Sequence, residues 1–227
     1  MPTHYPSTEP GPPTEPGPPT EPGPASQPGP STQPGFPLLP PNAPQVKARW
    51  RRWLGVFLMR LGGWRIAGNM PDLPKFVMIV APHTSNWDFY HGFTAYLALR
   101  LDNTWLAKHT VFFWPLGVLA RRFGGMPIDR AKGGNVVRAC VSEFERRERI
   151  SFTITPEGTR GKVKEWKLGF YYIATEAGVP IVPVALNYRE RLVMILPPYF
   201  PTGDVAVDLP RIKALYSKEM ARRPECF

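Results

Sequence analysis

The sequence is poor in the residues that build disulfide frameworks and metal centres. It has only two cysteines, Cys140 and Cys226, and four scattered histidines in 227 residues. These counts exclude a disulfide-stapled scaffold and a multi-cysteine zinc site, so we expect neither a metal nor a resident cofactor. No apolar run reaches the ~18–20 residues that a membrane-spanning helix needs. The first 35 residues also lack the apolar stretch of a secretory signal.

Lysine and arginine are absent from residues 1–45, which instead hold 17 of the 30 prolines. Residues 8–37 form five tandem hexapeptides of the type TEPGPP, with almost no apolar surface to bury. We therefore expect residues 1–45 to be a disordered tail, partly in the polyproline II conformation. The tail is either a solvated tether, which its composition favours, or a ligand for an SH3- or WW-like polyproline-binding partner. The folded domain is expected to cover residues 46–227.

The rest of the chain is strongly basic. Residues 46–227 carry all 28 lysines and arginines against 15 acidic residues, a formal net charge of +13. This charge favours partners that carry phosphate, such as anionic membranes. Nucleic-acid binding would explain the charge equally well, but the chain has no recognition motif for nucleic acid, so we expect no nucleic-acid partner.

Residues 46–64 have the pattern of an amphipathic helix with an interfacial composition. Its apolar side chains recur at helical spacing, and the charged residues between them are all basic. The apolar set is Val46, Trp50, Trp53, Leu54, Phe57, Leu58, Leu61 and Trp64. One alternative is a helix packed on the core with solvated arginines. Three tryptophans on one stripe favour a helix lying in a membrane surface, which predicts peripheral attachment to the cytoplasmic face of a membrane.

The remaining sequence alternates between strand and helix patterns. Strands are predicted at 76–81, 104–107, 151–155, 181–186, 192–196 and 205–209, and helices at 89–101, 135–147 and 167–177. This alternation predicts an α/β fold, a single layered domain with a largely parallel or mixed sheet flanked by helices. Active sites of such sheets collect where strands end. Three loops therefore draw attention: 82–88, 124–130 and 155–160.

The loop 82–88 holds a candidate base and its orienting group. His83 and Asp88 are separated by four residues, so the carboxylate lies within the first turn of the next helix and can reach the imidazole. Histidine is the natural general base near neutral pH when a second group fixes its tautomer. The pair by itself is also compatible with an ordinary polar loop.

The other two loops carry cations. The glycine pair at 124–125 allows backbone conformations that hold Arg130 at a fixed point, although an ordinary turn with a surface arginine fits as well. In the loop 155–160, Glu157 suits substrate hydroxyls and Arg160 suits phosphate oxygens, although an ordinary solvated loop fits these residues as well. The apolar run 111–120 is either buried core, the lining of an acyl-chain tunnel, or a segment that dips into one leaflet.

Together these segments resemble the glycerolipid acyltransferases, specifically the lysophosphatidic acid (1-acyl-sn-glycerol-3-phosphate) acyltransferase group. Four blocks match in order: His83-x4-Asp88, GGMPIDR at 124–130, PEGTR at 156–160, and VPIVPV at 179–184. The resemblance covers roughly residues 75–190. Thr155 departs from the family pattern, which usually has phenylalanine before Pro-Glu-Gly.

The resemblance implies an O-acyltransferase of phospholipid biosynthesis. In that reading His83 takes a proton from the acceptor hydroxyl, Asp88 holds the imidazole, and no covalent acyl-enzyme forms. The co-substrates would be an acyl thioester donor (acyl-CoA or acyl carrier protein) and a lysophospholipid acceptor, most readily 1-acylglycerol 3-phosphate. The residues implied to bind the acceptor are Arg130, Glu157, Gly158, Thr159 and Arg160, with Lys108 as a further phosphate candidate.

Two other functions compete with this reading. An esterase would use Ser85, but no Gly-x-Ser-x-Gly elbow exists in the chain. A peripheral lipid-binding module would need no His83/Asp88 pair. The joint occurrence of four ordered blocks favours the enzyme.

Overall fold

The computed structural model describes residues 33–227, except 109, 111 and 129–132. Within them, one seven-stranded sheet is flanked by helices. The elements are α1 (Arg49–Leu61), β1 (Arg65–Ala67), β2 (Lys75–Ala81), α2 (Asn86–Leu99), β3 (Asn103–Lys108), α3 (Leu116–Arg122), β4 (Gly125–Ile128), α4 (Gly133–Arg146), β5 (Ile150–Ile154), α5 (Gly169–Glu176), β6 (Ile181–Asn187), β7 (Leu192–Ile195) and α6 (Val205–Lys213).

The sheet is largely parallel, which confirms the predicted α/β class. Its strand order is β1-β7-β6-β2-β5-β3-β4, and only the β6–β7 pair is antiparallel. The central strand β2 pairs with β5 in a register that sets Ile79 against Ile154. Because the two strands are parallel neighbours, the loops that follow them leave the same edge of the sheet side by side.

Alternate side chains of the central strands build two cores, one on each face of the sheet. Phe76 and Met78 of β2 belong to the core under α1 and α2, whereas Val77 and Ile79 belong to the core that α4, α5 and α6 cover. Helix α1 packs closely on α2 at Gly55, where a side chain would collide with the α2 backbone. The face of α1 that holds Gly55 is therefore the buried one.

Helix α1 confirms the predicted helix and divides its apolar stripe. Trp50, Trp53, Phe57 and Leu61 are each more than half exposed, while Leu54 and Leu58 are half-buried. Trp64 lies beyond the end of the helix and is only 4% exposed, so its assignment to the interfacial stripe is wrong. Arg51, expected to be solvated, is instead buried and donates to the Tyr96 hydroxyl at 2.9 Å.

The folded chain begins upstream of the predicted boundary at Val46. Gly35 and Ile66 exchange two backbone hydrogen bonds of 2.8 and 2.9 Å. The Arg52 guanidinium donates to the carbonyls of Phe36 and Pro37 at 2.7 and 3.0 Å. The difference has a physical cause: the last hexapeptide and the residues after it carry apolar side chains, including Phe36 and Leu39, that pack on the core. The rest of the predicted tail, residues 1–32, lies outside the described residues.

The prediction of a strand at 205–209 is wrong. The residues alternate Val-Ala-Val-Asp-Leu, but Asp204 caps a helix by accepting from the Ala206 N–H at 2.9 Å. The polar position of the alternation, Asp208, is buried and accepts hydrogen bonds from the hydroxyls of Tyr171 and Tyr199 at 2.7 and 2.6 Å. Both tyrosines lie outside the alternating segment, so the alternation of residues 205–209 could not show that Asp208 is buried by them.

The apolar run 111–120 is not buried core where the structure describes it. Part of it forms α3, and Phe113, Trp114, Val118 and Leu119 are each more than half exposed. This helix and the short strands β1 and β4 were not predicted. Among the described residues, no helix is both long and apolar enough to cross a bilayer.

Candidate active site

The His83/Asp88 pair is built by the capping of α2. Ser85 is the N-cap residue, and its hydroxyl accepts from the Trp87 N–H at 3.2 Å. Asp88, at the third helical position, accepts from the backbone N–H groups of Thr84 and Ser85, both at 2.7 Å. The four-residue spacing therefore follows from a capping box that also brings Asp88 Oδ2 to 3.3 Å from His83 Nδ1.

The environment of Asp88 keeps it ionised. Burial by itself would raise its pKa, but hydrogen bonds from His83, the Tyr188 hydroxyl and the Ser85 N–H outweigh burial and lower the pKa. An ionised Asp88 accepts a hydrogen bond from the N–H that His83 carries on Nδ1. The other ring nitrogen, Nε2, is then left as the proton acceptor.

Glu157 holds the backbone of the 82–88 loop. Both of its carboxylate oxygens accept from the His83 N–H, at 3.0 and 2.9 Å, and its side chain is 2% exposed. Burial raises its pKa to about 7, against the opposing effect of the His83 N–H. This placement differs from the expected contact with substrate hydroxyls, because the Glu157 carboxylate instead ties the β5 exit loop to the β2 exit loop.

The rest of the 155–160 loop turns towards solvent. Gly158 adopts φ +66°, a backbone conformation that residues with a side chain rarely adopt, so the turn requires glycine at this position. Thr159 and Arg160 are exposed, and the Thr159 hydroxyl accepts from the Gly161 N–H at 3.4 Å. Lys108 is the last residue of β3, and Arg130 lies outside the described residues. The structure thus brings together His83, Asp88, Glu157 and Arg160.

An apolar cavity of about 480 Å³ opens beside the His83/Asp88 pair. His83, Asp88 and Arg160 line one part of it. The rest is lined mainly by apolar side chains of the sheet and of α2, among them Met78, Val80, Phe89, Phe93, Tyr96, Leu99, Val184 and Leu186. Its volume falls in the range of small-molecule sites, and its lining suits a hydrocarbon chain.

Residues that sequence reasoning missed surround the pair. The Tyr188 hydroxyl donates to Asp88 Oδ1 at 2.6 Å. Trp64 stacks on His91 with ring centroids 3.9 Å apart and meets Tyr188 edge-on. Burial lowers the pKa of His91 to about 4, which keeps that imidazole neutral. Tyr188 directly follows β6, so the strand-end argument could have found it, whereas no local signal marks Trp64.

The region of the chain that contains the site residues matches a known sequence family. The family described as Acyltransferase matches residues 68–187, more than half of the chain. The chain belongs to the acyltransferase family. The match includes the His83/Asp88 pair and the 155–160 loop.

Relatives of this acyltransferase confirm the resemblance to the 1-acylglycerol-3-phosphate acyltransferase group. It is 33% identical over 166 residues to the 1-acyl-sn-glycerol-3-phosphate acyltransferase of Salmonella typhimurium, covering 69% of this chain and 66% of that protein. The Escherichia coli protein of the same name is 31% identical over 160 residues, with 66% and 63% covered. The chain thus spans just under two thirds of the length of these relatives.

The fold of this acyltransferase also has a counterpart among solved structures. The 1-acyl-sn-glycerophosphate acyltransferase of Thermotoga maritima matches it with a TM-score of 0.58, covering 74% of this chain and 75% of the other. The two are 19% identical, so the likeness establishes the shared α/β architecture.

Proposed function

We propose that this protein transfers a fatty acyl group from a thioester donor to a hydroxyl of a lysophospholipid, with 1-acylglycerol 3-phosphate as the acceptor. The observation that carries the proposal is that the His83/Asp88 pair and Arg160 line the same apolar cavity. An acyl chain fits the cavity, and a phosphate suits the arginine. The names of the relatives support the same acceptor.

The geometry suits general-base catalysis. Nε2 of His83 removes the proton of the acceptor hydroxyl, and the oxygen attacks the thioester carbonyl carbon. As the tetrahedral intermediate collapses, the carbon–sulfur bond breaks and the thiolate takes the proton back from His83. Asp88 stabilises the imidazolium between the two steps, as the carboxylate of a catalytic triad does.

A serine nucleophile is not needed for this reaction. Ser85 is 5% exposed, and its hydroxyl is occupied in capping α2. Its position therefore does not support the esterase alternative. The acceptor hydroxyl itself supplies the attacking oxygen, so no covalent acyl-enzyme is part of the proposal.

Membrane attachment through α1 belongs to the same proposal. Trp50, Trp53, Phe57 and Leu61 form an exposed stripe, which we name the α1 stripe. Helix α3 lies against α1, because the Arg51 guanidinium donates to the Arg122 carbonyl at 3.5 Å, and the chain around α3 also exposes apolar side chains. Such a surface suits peripheral binding at a cytoplasmic membrane face, where an apolar acceptor is available.

The purified protein tests the proposal directly. Labelled acyl-CoA and acyl carrier protein would each be offered with lysophosphatidate, lysophosphatidylcholine or glycerol 3-phosphate, and ester formation would be measured. We expect transfer to lysophosphatidate, and none with His83→Ala. Thioester hydrolysis without ester formation would contradict acyl transfer. Preference for lysophosphatidylcholine would contradict the acceptor.

A further inference from the structure

A second, polar cavity of about 310 Å³ has Arg160 in its lining. The turn 84–87 at the start of α2 lines it together with three arginines, Arg160, Arg222 and Arg223. Arg160 also lines the apolar cavity that contains His83. One arginine therefore belongs to both cavities, and a substrate with an apolar part and an anionic part could occupy both.

The C-terminal segment that carries Arg222 and Arg223 is held in place by the site itself. The Arg223 N–H donates to the buried Thr84 hydroxyl at 3.2 Å. The Tyr188 N–H donates to the Met220 carbonyl at 2.9 Å, and Ala221 is buried. These contacts fix the position of the segment against the 82–88 loop, and they place the two arginines at the edge of the cavity.

Arg222 is further held by aromatic faces. Its guanidinium lies 5.2 Å from the ring centroid of Trp87 and 6.0 Å from that of Tyr188. Stacking of this kind orients the planar group and leaves donors at its edge open to an anion. Trp87, which is half exposed, therefore lines the polar cavity together with Arg222.

The three positive charges have no carboxylate partner. Among the described residues, no acidic side chain lies within 4.0 Å of Arg160, Arg222 or Arg223. The nearby acids Asp88 and Glu157 already accept hydrogen bonds from backbone N–H groups of the 82–88 loop. Three cations around one cavity repel each other, and the attraction of a bound anion would offset this repulsion.

We propose that Arg222 and Arg223, together with Arg160, bind a phosphate group of a substrate. The phosphate is either that of the acceptor head group or one from the nucleotide of acyl-CoA. The assignment of this phosphate to the acceptor or to acyl-CoA rests on the proposed function. The binding of phosphate does not, because it can be measured without turnover.

Equilibrium binding to the full-length protein tests the site. Glycerol 3-phosphate serves as the probe for the acceptor head group, and adenosine 3′,5′-bisphosphate as the probe for the nucleotide of CoA. Calorimetry would compare the wild type with Arg222→Gln/Arg223→Gln. A matched control, Arg65→Gln/Arg138→Gln, removes two charges from exposed arginines outside the cavity.

We expect the Arg222→Gln/Arg223→Gln variant to bind one probe at least about tenfold more weakly, while the control stays near wild type. Weaker binding of glycerol 3-phosphate assigns the site to the acceptor, and weaker binding of the nucleotide assigns it to the donor. Arg222→Lys/Arg223→Lys, which keeps the charge, should lie between the wild type and the glutamine variant, and it serves if that variant does not fold. Equal binding by all proteins, or no binding of either probe to the wild type, overturns the proposal. An absence of acyl transfer with intact probe binding would instead count against the proposed function alone.

Discussion

Tyr188 donates a 2.6 Å hydrogen bond to Asp88 Oδ1, the carboxylate oxygen that does not face His83. Asp88 Oδ2 accepts from two backbone N–H groups and lies 3.3 Å from the imidazole. The carboxylate is therefore held from both sides, by its own helix start and by a residue that lies 100 positions further along the chain.

Tyr188→Phe should impair catalysis without unfolding the protein. The ring keeps its contact with Trp64, but the carboxylate loses one of the hydrogen bonds that lower its pKa. We expect kcat to fall about tenfold, the scale of one hydrogen bond to a charged group, with little change in the KM of either substrate. The pH profile of kcat should also shift, because loss of this hydrogen bond raises the pKa of Asp88. A variant with an unchanged kcat and pH profile would show that Tyr188 is only a packing residue.

His83→Ala and Asp88→Asn should nearly abolish turnover. Loss of a general base typically costs ~10²–10⁴-fold in rate. The Asp88 variant also weakens the cap of α2, so its melting temperature must be measured beside its activity. A folded His83→Ala protein that keeps more than about a tenth of the wild-type rate would contradict the mechanism.

Glu157→Gln should change how stability depends on pH. The pKa of Glu157 is raised to about 7, so between pH 4.5 and 7 the unfolded chain releases this proton before the folded one does. Wild-type stability then falls as pH rises through this window, by at most about 3 kcal/mol from this group. The variant lacks the titration, so its stability relative to wild type should increase from pH 4.5 to 7 in denaturant titrations. Parallel curves for the two proteins would contradict the raised pKa.

Two truncations separate the tail from the fold. Deleting residues 1–32 should leave the melting temperature unchanged, because their composition offers almost nothing apolar to bury. Deleting residues 1–45 should lower stability by about 2 kcal/mol or more, since it removes the packing of Phe36 and Leu39 and the carbonyl partners of Arg52. Thermal unfolding followed by circular dichroism compares the two. Equal melting temperatures would show that residues 33–45 contribute nothing to the fold.

The α1 stripe should mediate binding to anionic vesicles. Trp50→Ser/Trp53→Ser removes two exposed aromatic side chains, and we expect clearly weaker cosedimentation with vesicles that contain phosphatidylglycerol. Binding should also weaken with salt, because basic side chains near such a surface contribute ~1 kcal/mol each. Phe200→Ser, which removes an exposed aromatic side chain from another segment, is the control. Equal loss in both variants would refute the assignment to α1.

Much of the catalytic centre could be predicted because it is local. Asp88 belongs to the capping box of α2 and His83 lies two residues before its N-cap, so the distance between them follows from the geometry of a single helix start. The β2 and β5 exit loops could also be paired in advance, since parallel strands of one sheet end at one edge. The contact that Glu157 makes there could not be predicted, because its partner, the His83 N–H, lies 74 positions away in the chain and no local pattern links the two.

The sequence by itself determined the α/β class, the His83/Asp88 pair and the apolar stripe of α1, all of which depend on residues within a few turns of each other. Only the tertiary structure decided that Tyr188 supports Asp88 and that Arg222 and Arg223 join Arg160. It also decided that the α1 stripe faces outward while Trp64 is buried. Periodicity reveals which residues share a face of an element. It does not reveal which distant segment covers that face, because that choice depends on the packing of the whole chain.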